Sequence, residues 1–277
     1  MHRNLVRILR HVDARLLYLF SDVFIVPFCL VFNKSRKTSY RYFRDIYHYG
    51  RLKAAWATYV NHCKFSEVVI DRFAMYAGKH FNVKVEGFEE FDTLARGEDG
   101  FVQLSSHIGN YEIAGYTLVS DRKVINAVVY ADEKASVMQN RNSMFSKTNV
   151  RMIAMTPDMS HLFEIDKALS EGNIVSFPSD RSMGTSRSMV LPFLGRGARF
   201  PQGPFSVAAM RGCKVLAVNV MKEGWKVYRI FVTPLDYDLS APRKEQVLQL
   251  AEAYVAELER RVRQYPEQWF NFYDFWS

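Results

Sequence analysis

Seven short apolar runs, separated by stretches with helical periodicity, leave this chain few ways to fold. The runs are VKVEG (83–87), FVQL (101–104), VINAVVY (124–130), VRMIAM (150–155), NIVSF (173–177), KVLAVNV (214–220) and YRIFV (228–232). Helical patterns lie between or after them at 108–119, 133–147, 158–171, 202–211 and 243–264. Alternation of this kind predicts an α/β fold, with a mostly parallel central sheet and helices on both faces. Ligands in such sheets gather at the carboxyl ends of the strands, where His107 and Asp180 are both expected to emerge.

The first part of the chain is of another kind. Apolar and aromatic residues recur at helical spacing from Tyr40 to about Phe81, which predicts one long helix or two. Ahead of them lies LLYLFSDVFIVPFCLVF (16–32), seventeen residues interrupted by Asp22 and Pro27. A span needs roughly 20 apolar residues. Arg3, Arg7, Arg10 and Arg15 flank this run on one side, and residues 34–53 carry seven basic residues against one acid on the other. An anionic membrane surface attracts such cations at about 1 kcal/mol each. Residues 1–39 are therefore read as a helical membrane-associating segment, embedded or in-plane, ahead of a 40–277 domain. There is no Ala-x-Ala-like site for removal of a signal peptide. The net charge of +8 comes with no nucleic-acid module, so no nucleic-acid partner is expected. Cys29, Cys63 and Cys213 are odd in number and widely spaced, and read as buried thiols, neither a disulfide framework nor a metal site.

Chemistry concentrates in FVQLSSHIGNYEIAGY (101–116). His107 ends a strand-like run, a glycine follows, and Glu112 stands five positions on, near a helix start. If His107 precedes the first turn, its ring can fold back over Glu112. A carboxylate on one ring nitrogen fixes the tautomer and leaves the other free to take a proton from a hydroxyl. His62/Glu67 and His161/Asp166 share this spacing, but both lie inside helical patterns and read as ordinary helix residues. Ser105 and Ser106 read as structural hydroxyls. Asp180 and Arg181 follow the run 173–177, where Arg181 could bind an anionic group bidentately and Asp180 could orient it or Arg141. The stretch 182–199, with Arg187, Arg196 and Arg199, reads as a loop. No nucleophile elbow, Walker loop or zinc-protease motif occurs.

HIGNYE resembles the His-x4-Asp/Glu motif of the lysophospholipid acyltransferase superfamily, in the branch of the bacterial lipid A lauroyl/myristoyl acyltransferases. NIVSFPSDRSMG, LPFLGRGARFPQGPFSVAAMRGCKVLAVNV and YPEQWF resemble further segments of that branch, in family order over roughly residues 40–270. The resemblance implies transfer of a fatty acyl chain from an acyl carrier protein or CoA thioester to a hydroxyl of a lipid acceptor. It implies His107 as base and Glu112 as its orienter, with Asn110, Arg141, Asp180 and Arg181 contacting substrate. The thioester is a co-substrate, and no cofactor or metal is implied. The expected location is the cytoplasmic face of a bacterial inner membrane, peripheral or monotopic. A lipid hydrolase using the same base on water, and a non-catalytic membrane-binding protein, are the alternatives.

Overall fold

The computed structural model describes residues 2–130, 149–156, 158–182 and 187–276. The expected helix at 133–147, and Arg141 within it, lie outside these residues. Among the described residues, seven strands form one sheet in the order β1-β9-β8-β2-β5-β3-β4. They are β1 (Asn82–Glu86), β2 (Phe101–Gly109), β3 (Ile125–Tyr130), β4 (Val150–Met155), β5 (Ile174–Pro178), β8 (Val215–Lys222) and β9 (Val227–Leu235). β8, β2, β5, β3 and β4 run parallel, while β9 lies antiparallel to β8 and carries β1 with it. All seven expected runs are strands of this sheet, displaced by a few residues at their ends. Each is short and apolar because helices cover the sheet on both sides.

The helices are α1 (His2–His11), α2 (Ala14–Phe32), α3 (Ser35–Arg41), α4 (Arg51–Tyr76), α5 (Phe88–Arg96), α6 (Ala114–Thr117), α7 (His161–Ser170), α8 (Gly203–Arg211) and α9 (Arg243–Gln264). One sheet face packs Leu104, Val175, Phe177 and Ala217 against α7, α8, α9 and the start of α4. The other packs Phe101, Ile125, Ile174 and Val218 against Phe91 of α5 and Ile113 and Leu118 near α6. Two expectations fail in this frame. Residues 108–119 yield only a 3-10 turn (Tyr111–Ile113) and the single turn α6. The stretch 182–199 is largely not a loop: Ser188–Phe193 (β6) and Arg196–Pro201 (β7) form an antiparallel hairpin. Leu194 and Gly195 close it, both with positive φ, the geometry that matches strand twist in a two-residue turn.

α2 runs through Asp22 and Pro27 without a break. A wide π turn over Ser21–Ile25 absorbs the missing proline N–H and its clash with the preceding turn. Helix α2 lies antiparallel along α4, with Tyr18 meeting Asp71, Ser21 meeting Ser66, and the Asp22 carbonyl accepting from Tyr59. Its opposite side exposes Leu16, Leu19, Phe20, Phe24, Phe28 and Phe32. Cys63 and Cys213 are buried as expected, but Cys29 is exposed on that same apolar side.

Candidate active site

Strand β2 departs from regular geometry where its chemistry begins. Ser105 pairs with Val218 and Gly109 with Val220, so four residues of β2 cover what two cover on β8. Ser106, His107 and Ile108 arch out as a bulge, a common way to re-aim a side chain at a sheet end. Ser106 Oγ donates to Asn219 Oδ1 at 2.7 Å and pins one foot of the arch. Gly109 pins the other. Its φ is +59° and it lies against the Val220 carbonyl, where any Cβ would collide. The Asn110 N–H then donates to that carbonyl at 2.9 Å.

Gly109→Ala is therefore expected to cost more than the about 1–2 kcal/mol of a left-handed backbone alone. Gly78 has φ +86° with nothing within 4 Å of an added Cβ, so Gly78→Ala measures the backbone cost by itself. Thermal unfolding of the two variants should differ, with only Gly109→Ala also losing turnover. Equal losses would mean that the arch tolerates a side chain.

The imidazole of His107 is oriented by Asp180. His107 Nδ1 lies 2.8 Å from Asp180 Oδ1, and the His107 backbone N–H donates to Oδ2 at 2.9 Å. β2 and β5 are adjacent parallel strands, and the 73-residue offset that pairs Phe101 with Ile174 also sets Asp180 opposite His107. Asp180 is only 1% exposed. Burial alone would raise its carboxyl, but the His107 ring, the Arg181 guanidinium and the His107 amide outweigh it and hold the pKa below the ordinary carboxylate value. A charged Asp180 keeps the proton on Nδ1 and leaves the Nε2 lone pair available.

Glu112 does not hold the imidazole, contrary to expectation. The 3-10 turn after the bulge swings its carboxylate toward α4, where Oε2 lies 3.2 Å from Arg72 Nε and 3.1 Å from the Tyr76 hydroxyl. Tyr111 stands between the two acids' territories, its ring edge-on to His107 with centroids 5.6 Å apart. Two further assignments also change, and Arg181 has protein partners of its own. Asp180 is buried beneath His107 and has no open face for a substrate. Asn110 is fully buried on the far side of the bulge, near Tyr228, and does not line the cavity beside His107. Arg181 turns toward the C-terminal segment, donating to the Phe270 carbonyl at 2.9 Å with its guanidinium 5.6 Å over the Tyr273 ring. The other two histidines behave as helix residues. His62 Nδ1 meets the Thr58 carbonyl at 2.9 Å, and His161 Nδ1 accepts from the Thr156 N–H at 3.2 Å.

A cavity of about 130 Å³ runs from His107 and Glu112 down the same face of the sheet, past Ser105, Ala127, Val129 and Met152. Pockets enclosing drug-sized ligands are roughly 300–1,000 Å³. This one is smaller. Among the described residues, no cluster of three or more His, Cys, Asp or Glu is arranged to hold a metal ion.

The C-terminal segment reaches the site in a way the sequence did not disclose. Ile108 bridges to Trp269, and the Phe270 N–H approaches the His107 carbonyl at 3.4 Å. The Gln268 amide grips both backbone groups of Lys222 at 2.8 Å, and Asn61 of α4 donates to the Glu267 and Trp269 carbonyls. Residues 266–270 thus strap the arch from outside the sheet. The YPEQWF segment was visible in the sequence as a family-like ending, but nothing local linked it to His107.

A family model described as bacterial lipid A biosynthesis acyltransferase matches residues 68–277. Among solved structures, the crystal structure of the 1-acyl-sn-glycerophosphate (LPA) acyltransferase, PlsC, from Thermotoga maritima is similar over 94% of this chain and 100% of that chain. The two are 16% identical, with a TM-score of 0.43. No curated protein matches the sequence significantly.

Proposed function

Because this chain belongs to the bacterial lipid A biosynthesis acyltransferase family, we propose that it esterifies a hydroxyl of a membrane lipid or lipid-like acceptor with a fatty acyl chain from an acyl carrier protein or CoA thioester. The observation that carries this reading is the imidazole of His107, backed on Nδ1 by a buried carboxylate and bordering an apolar cavity. Nε2 takes the proton of the acceptor hydroxyl as its oxygen attacks the thioester carbonyl. The C–S bond then breaks, and the departing thiolate takes the proton from the imidazolium. Asp180 stabilises the positive ring between these steps. Attack is direct, with no acyl-enzyme, and Glu112, held by Arg72 and Tyr76, lines the cavity beside the base.

The test is consumption of acyl-ACP and acyl-CoA by the purified protein with a panel of hydroxylated lipid acceptors. Acceptor-dependent ester formation is expected. Release of free fatty acid at the same rate without any acceptor would replace the transferase by a hydrolase.

The enzyme works at the cytoplasmic face of a bacterial inner membrane, with residues 1–39 as the anchoring segment and α2 lying in the interface. One side of α2 is committed to α4 through Tyr18, Ser21 and Asp22, while its phenylalanines are exposed. Basic residues at 34–53 follow directly. A phenylalanine is worth about 1.5–3 kcal/mol when fully buried. The variant Phe20→Ser/Phe24→Ser/Phe28→Ser should therefore bind anionic vesicles at least about tenfold more weakly in sedimentation. Unchanged binding would remove α2 from the membrane.

A further inference from the structure

The cavity beside His107 is apolar for most of its length, yet two polar side chains with no use in the proposed mechanism line it side by side. Gln103 and Ser176 are direct partners on β2 and β5, and both face the cavity. Gln103 is 6% exposed, and its Nε2 is buried without a hydrogen-bond partner. No bond is made by the Ser176 hydroxyl among the described residues. Next in the same cross-sheet row comes Ala127 on β3 and then Met152 on β4. The alanine leaves open the space that a larger residue would fill in front of the polar pair. Ser105, one row nearer the base, differs from both, because its hydroxyl is spent on the Phe177 carbonyl at 3.2 Å.

A buried primary amide left unsatisfied is costly, and native proteins seldom leave one so without a ligand or water to meet it. Against a plain hydrocarbon, Gln103 and Ser176 would stay unpaired whenever substrate is bound. An oxygen on the chain would satisfy both, because an amide and a hydroxyl can each donate to it or accept from it. Gln103 lies in the regular part of β2, about 7 Å along the strand before Ser105, where the bulge that carries His107 begins. The oxygen would therefore sit well down the chain from the reacting carbonyl.

We propose that this cavity selects an acyl chain carrying a single oxygen substituent, oxo or hydroxyl, partway along its length, and that Gln103 and Ser176 are the residues that read it. This inference rests on the acyltransferase reading above. Sites that hydrogen-bond a substrate group discriminate against analogues lacking it far better than apolar pockets discriminate by size.

The experiment uses full-length His107→Ala protein in detergent micelles, so that thioesters bind without turnover. The probes are dodecanoyl-pantetheine and a set of dodecanoyl-pantetheines with one oxo group moved stepwise along the chain. Dissociation constants are measured by displacement of a fluorescent fatty acid. At one oxo position the chain should bind at least about tenfold more tightly than the unsubstituted probe. Adding Gln103→Leu should abolish that advantage, and adding Ser176→Ala, a smaller change, should reduce it. If no oxo position exceeds the plain chain by more than about twofold, a water fills the site and the proposal is wrong. An advantage that survives Gln103→Leu also overturns it. If no thioester of either kind binds, the acyltransferase reading fails first and takes this inference with it.

Discussion

Replacing His107 with alanine is expected to lower acyl transfer by about 10²–10⁴-fold, the usual worth of a positioned general base, with unfolding behaviour close to wild type. Asp180→Asn should approach the same loss without removing the imidazole. The amide cannot hold the proton on Nδ1 as the charged carboxylate does, nor can it stabilise the imidazolium. The two acids are separated by turnover. Glu112→Gln should lose far less than Asp180→Asn, since the Glu112 carboxylate faces Arg72 and Tyr76. If Glu112→Gln is the more damaging of the two, the orienting role returns to Glu112. A stability signature accompanies this. The pKa of Asp180 is lowered on folding, so its contribution is present above the ordinary carboxylate range and lost as pH falls through the lowered value. Acid unfolding of Asp180→Asn should lack that component.

The largest loss of stability is expected far from the base, at Lys222→Ala. The Lys222 ammonium, 2% exposed, is paired with the fully buried Asp71 carboxylate of α4. The same carboxylate accepts from Tyr18 of α2 and Tyr228 of β9, and Lys222 also reaches the Tyr18 hydroxyl at 3.1 Å and Glu67 at 3.4 Å. Removing one member of a buried ion pair strands the other charge and costs about 3–5 kcal/mol. In a domain of this size that corresponds to a fall in Tm of about 6–20 °C. The double variant Asp71→Leu/Lys222→Met should recover much of the loss, because both charges leave together. Calorimetry in detergent checks both. A single variant within about 1 kcal/mol of wild type would show that water reaches the cluster and that it does not tie α2 to the sheet.

Much of this protein was legible from local pattern. The runs at 83–87, 150–155 and 214–220 were legible as short apolar stretches containing β-branched residues, and only 83–87 also alternates with a two-residue period. The helix at 243–264 has the bounds its periodicity predicts. His107 stood out for the same reason, as a strand ending in a histidine with a glycine close behind. The hairpin at 188–201 escaped notice because arginines and a proline break its apolar alternation, and it packs largely through Phe193 and Phe200.

What the sequence could not yield is the partner of His107. Glu112 looked right because it is near along the chain, and short-range spacing is all that a single sequence exhibits. Its direction is set by the bulge at 106–108, and the bulge exists because Gly109 presses onto Val220 more than a hundred residues later. Asp180 reaches Nδ1 only because β2 and β5 lie side by side in one register, and the strap at 266–270 arrives only after α9 has crossed the sheet. Strand order and register are set by burial summed over the whole core. The sequence by itself therefore determined most of the elements, the candidate histidine and the family, while tertiary structure alone decided which carboxylate lies against the ring and which surfaces hold it still.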